Sequence, residues 1–75
     1  MSKDEIVDLM LKSSDYNPYT GKLSIKDNYI AAIELAKLCR EFAENGQTDE
    51  AMNIPVEDWN EVIKILNQRC QKEVI

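Results

Sequence analysis

The sequence predicts an all-α protein, a small three-helix bundle with a Tyr/Pro-containing loop between helices 1 and 2. Three observations carry that expectation. Apolar residues recur at helical spacing over three separate stretches, at about 2–13, 24–45 and 55–73. Each stretch opens on residues suited to starting a helix. A chain of 75 residues with an apolar fraction of 44 % holds one core, so 1–75 reads as a single helical domain.

The first stretch begins Ser2-Lys3-Asp4-Glu5, a capping-box pattern with acidic residues where the helix dipole favours them. Ile6, Leu9 and Met10 form its stripe, and Val7 and Leu11 broaden it. A helix of about three turns is unstable alone, so this one depends on packing. Ser13-Ser14 weakens the pattern and marks its end.

Next comes Asp15-Tyr16-Asn17-Pro18-Tyr19-Thr20-Gly21-Lys22-Leu23. Asn17-Pro18 starts a turn, and Gly21 is free to take positive φ. The spacing predicts a tight loop, a minimal hairpin pairing around Tyr16 and Leu23. Tyr16 and Tyr19 flank the proline. They either cap one end of the core or present a recognition surface.

The central stretch runs from Ser24, a cap with Asp27 three residues on, to the Asn45-Gly46 stop. Projected at about 100° per residue, Ala31, Leu35, Leu38 and Phe42 fall on one line. Ile25, Ala32, Ala36, Cys39 and Ala43 form a strip of mostly small residues beside it. Two such faces suit a central helix that touches two neighbours, one of them closely. The large face is expected to pack Leu35, Leu38 and Phe42 against Trp59, Ile63 and Leu66. Ile30 and Ile33 instead fall among Glu34, Lys37, Glu41 and Glu44, on the face that should be wet. Either the first helix and the tyrosine loop fold over them, which is the expectation, or they form an apolar spot ringed by charge.

Gln47 to Asn53 reads as a polar connector with a helical turn at Asp49–Met52. Pro55, Glu57 and Asp58 then announce the last helix, antiparallel to the second. Val56, Trp59, Val62, Ile63, Leu66, Cys70 and Val74 share one narrow stripe, with Ile65 outside it. Ile54 and Trp59 have the spacing of a hydrophobic staple.

Fourteen acidic against nine basic residues give a net charge of −5, the wrong sign for tracking phosphates. Direct nucleic-acid binding is therefore not expected. No histidine is present, and Cys39 and Cys70, both on apolar faces, read as buried thiols. No zinc site of usual composition can be assembled from them. The carboxylates spread over helix faces and do not converge, and so short a chain has little room for a substrate pocket. Catalysis and cofactors are not expected. No basic region is followed by an apolar run, and no stretch of about 18 apolar residues occurs. The expectation is a cytoplasmic protein without membrane contact.

Asp15-x-Asn17 followed by Gly21-x-Leu23-Ser24-x-x-Asp27 resembles a calcium loop of the EF-hand or dockerin type. The spacing matches from Gly21 onward. One extra residue shifts Asp15 and Asn17 out of register, and Pro18 and Tyr19 stand at ligand positions. The resemblance implies a calcium-binding loop as an alternative function.

The leading expectation is a small acidic, non-catalytic protein-binding module. Its size and charge suit a stand-alone regulator or inhibitor of a basic protein, for example one that handles nucleic acid. The expected contact residues are Tyr16, Pro18, Tyr19, Ile30, Ile33, Glu34, Glu41 and Glu44. A self-associating structural subunit, a homo-oligomer, is the further alternative.

Overall fold

Ser2 and Ser24 start the first two helices as their positions require. The structure, a computed structural model, describes residues 2–47 and 53–73. In α1 (Lys3–Ser13) the Ser2 hydroxyl accepts from the Glu5 N–H at 3.2 Å. The Glu5 carboxylate accepts from the Ser2 N–H at 3.4 Å, which completes the capping box. In α2 (Ile25–Glu44) the Ser24 hydroxyl accepts from the Asp27 N–H at 3.2 Å. In α3 (Val56–Glu73) the Pro55 carbonyl accepts from Asp58 and Trp59 at 3.0 and 3.2 Å. Each helix keeps within the span expected for it, with caps outside.

The end of α2 is a Schellman motif. Gly46 takes φ +69°, its N–H reaches the Ala43 carbonyl at 3.2 Å, and the Gln47 N–H reaches Phe42 at 2.7 Å. An apolar residue often follows the glycine and covers the one whose carbonyl is bonded. Here that position is Gln47, so Phe42 gains no such cover.

Between α1 and α2 lies the hairpin, β1 (Tyr16–Asn17) against β2 (Gly21–Lys22), antiparallel. Tyr16 faces Lys22, Asn17 faces Gly21, and the Leu23 N–H closes on the Asp15 carbonyl at 2.9 Å. The expected pairing of Tyr16 with Leu23 is thus off by one residue. The turn is tightened by the Asn17 side chain, which accepts from the Tyr19 N–H at 2.8 Å, and by Gly21 at φ +85°.

Two side-chain contacts fix α2 and α3 as antiparallel. The Tyr29 hydroxyl donates to Glu73 at 2.8 Å near one end, and Arg40 donates to Asn60 at 3.2 Å near the other. α1 lies where α2 begins and α3 finishes. Arg69 reaches Asp8 at 3.2 Å and Asp4 at 3.4 Å. With its amide turned to donate, Asn28 reaches the carbonyls of Leu11 (2.9 Å) and Ser14 (3.2 Å). The 11 residues of α1 span about 16 Å and the 20 of α2 about 30 Å, so α1 can cover only part of the pair.

The core joins Ile6, Val7 and Met10 of α1, Tyr29, Ala32 and Ala36 of α2, and Trp59, Val62, Ile63 and Leu66 of α3. Ile54 packs against it, in keeping with the staple. The inward face of α2 is therefore the small one. Leu38 and Phe42, expected inside, are 46 % and 43 % exposed, and Leu35 is half-buried. Alanines let α3 approach closely, and the bulk of Trp59 and Leu66 fills the space they leave. The line from Ala31 to Phe42 is thereby turned about a quarter-turn to the flank, and α1 stops short of its far end.

Other expectations shift for the same reason. Tyr29, read from sequence as neither core nor site, lies on the alanine face and is buried. Ile33 packs on the core while Ile30 stays 47 % exposed, so the two isoleucines separate. Ile25, at the tip of the small strip, is exposed. Cys39 and Cys70 are half-buried and free, because the helices cover only one side of each. The turn expected at Asp49–Met52, and Val74, lie outside the described residues. No helix among the described residues is long and apolar enough to cross a membrane.

Candidate functional site: two exposed apolar patches

The hairpin presents the first patch. Tyr19 is 94 % and Tyr16 67 % exposed, with Pro18 exposed between them. The tyrosines therefore do not cap the core. Their backbone is nevertheless held, by the Asn17 turn bond, the ring of Pro18 and the short ladder. Across the ladder, Lys22 stands opposite Tyr16.

The second patch is the outer face of α2. Ile30, Glu34, Glu41 and Glu44 are all exposed there, and Leu38 and Phe42 border them. An open depression of about 570 Å³ is lined by Glu34, Lys37, Leu38, Arg40, Glu41 and Glu44. All six residues come from one helix, so the depression has a floor and no opposing wall. Lys37 pairs with Glu34 at 3.8 Å and Arg40 with Glu44 at 3.9 Å. Glu41 has no cation within pairing distance among the described residues, which leaves this face net negative.

The expected contact residues thus divide in two. Tyr16, Pro18 and Tyr19 sit before the first turn of α2, whereas Glu41 and Glu44 sit in its last turn, about 25 Å away along the helix. Ile33 belongs to the core margin and to neither patch. Leu38 and Phe42 join the acidic face although their spacing marks them as core. The disparity between a three-turn first helix and a five-turn second one is the signal that points to them.

Two side-chain oxygens of the calcium-like segment have local roles. Asn17 accepts from the Tyr19 backbone and Ser24 caps α2. Among the described residues, no group of three or more His, Cys, Asp or Glu side chains is placed to hold a metal ion.

Among the described residues, two groups titrate away from their ordinary range. Burial, then the hydrogen bond and charge of Glu73, push the Tyr29 hydroxyl up to about 12. Burial raises the Cys39 thiol, which disfavours its reactive thiolate. Neither group lies in the two patches. No family model, curated protein or solved structure matches this chain.

Proposed function

We propose that this chain is a small, non-catalytic module that binds another protein through an acidic surface with apolar side chains beside it. The observation that carries the reading is the outer face of α2, where Leu38 and Phe42 stand half-exposed beside Glu34, Glu41 and Glu44. Exposed apolar side chains beside a row of carboxylates offer a partner both contact area and electrostatic steering. The net charge of −5 favours a basic surface on the partner. Charge then sets the rate of encounter, and apolar burial sets the lifetime of the complex. A chain of this kind serves as a regulator or inhibitor by occupying a basic site on its target.

The test is capture of a partner from source-cell lysate on the immobilised chain, repeated with Glu41→Lys and Glu44→Lys together. Both side chains are exposed, so melting should stay nearly unchanged while capture falls and loses its salt dependence. Equal capture by the parent and the reversed variant removes this surface from consideration.

A further inference from the structure

Asn28, Ala31, Leu35, Leu38 and Phe42 recur along α2 at alternating steps of three and four residues. That is the spacing of a seam along which a second helix packs. α1 holds only the start of it, where the Asn28 amide reaches the Leu11 and Ser14 carbonyls. Leu35 is half-buried, and beyond it Leu38 and Phe42 are exposed. From Leu35 to Phe42 about 10 Å of seam, two turns of helix, is thus left open.

The outer border of the open part is acidic. The residues just before Leu35 and Phe42, where such a seam pairs with charges on the helix it receives, are Glu34 and Glu41. Glu34 meets Lys37 at 3.8 Å in an exposed pair, and Glu41 has no cation within pairing distance among the described residues. On the inner border Ala32 is buried and Cys39 half-buried, which leaves the carboxylates to select the partner. Over residues 34–44 and 56–64, where α2 finishes and α3 begins, six carboxylates stand with three cations.

We propose that this face receives a partner's α-helix with an apolar stripe bordered by lysine or arginine, seated on Leu35, Leu38 and Phe42 with its cations on Glu34 and Glu41. That partner is the one of the proposed function, on which this rests, now named by its chemistry. The apolar spacing selects a helix, because a row of side chains on one helix meshes with a row of matching period on another. The carboxylates select its charge. A second copy of this chain is disfavoured by the same criterion, since it carries −5 itself. Two open turns make a small contact, so binding is weak and opposed by salt.

The experiment titrates the full chain into labelled synthetic peptides about three heptads long, followed by fluorescence anisotropy. One peptide carries leucine along its stripe and lysine on both borders. A second carries glutamate on the borders, and a third is the lysine peptide interrupted by proline. The lysine helix is expected to bind about tenfold more tightly than either control, or better, and to weaken as salt is added. Glu41→Lys and Phe42→Ala, both at exposed positions, should each weaken it about tenfold or more. Asp15→Lys makes the same change of net charge at the hairpin end and should weaken it far less. A lysine helix that fails to bind, a proline control that binds equally, or a Glu41→Lys variant no different from Asp15→Lys overturns the proposal. So does a parent that pairs with itself through Phe42 and ignores the peptide, since a second copy then fills the seam. In lysate, capture that depends on Glu41 and Glu44 yet is not displaced by the lysine peptide overturns this inference alone. Capture that ignores both glutamates removes the proposed function with it.

Discussion

Ala36 and Phe42 exchange the roles their sizes suggest. Ala36 is fully buried where α2 meets α3, and Phe42 is 43 % exposed. Ala36→Leu should therefore cost about 1–3 kcal/mol by overpacking, and Phe42→Ala only about 1 kcal/mol, both read from urea melts. Trp59, 1 % exposed, anchors the core from α3, so Trp59→Ala should cost about 3–5 kcal/mol. Its indole N–H is buried without a partner among the described residues, so Trp59→Phe should cost far less, loss of the unpaired donor offsetting lost volume. Tyr29 gives the fold a pH dependence of predictable sign. Its folded value of about 12 lies above the ordinary 10.0, so the unfolded chain loses this proton first. Stability is unaffected below about pH 10 and falls from there towards pH 12. Melting temperature followed over that window should decline in the parent, and Tyr29→Phe should flatten the decline.

The helices themselves are nearly complete in the letters. Ser2, Ser24, Pro55 and Gly46 are local punctuation, read by the backbone without help from distant residues, and all four act as their chemistry dictates. Gly46→Ala tests this locality. A Cβ there would meet nothing within 4 Å, so the whole cost comes from φ +69°. It should amount to about 1–2 kcal/mol in thermal or urea unfolding, with the contacts of the core unchanged. What the letters of α2 do not decide is which of its two apolar faces turns inward. The large face offers more area and the small one a closer approach. The choice falls to neighbours, through Trp59 and Leu66 on α3 and the limited reach of α1. Ile30 and Ile33 part company for the same reason, since the margin of the core passes between them.

Across the molecule as a whole, the three-helix architecture is legible because each helix carries its own stripe and caps. The candidate surface is legible only in part. The hairpin tyrosines and the glutamates of α2 are visible in sequence as unusual, but their separation along α2 is a fact of the fold. Leu38 and Phe42 escape notice because helical spacing records that a residue is apolar, not whether a neighbour reaches it. The ties of Arg69 to Asp4 and Asp8 bear on the order of assembly. They join residues 65 and 61 positions apart, whereas the hairpin closes over a handful and α2 meets α3 through one connector. Closing a longer loop costs more entropy before any contact repays it. The contact of α1 with α3 is therefore the late one, after each of them has met α2, its neighbour in sequence. Removing the Arg69 side chain should then leave the refolding rate nearly constant and show itself as faster unfolding.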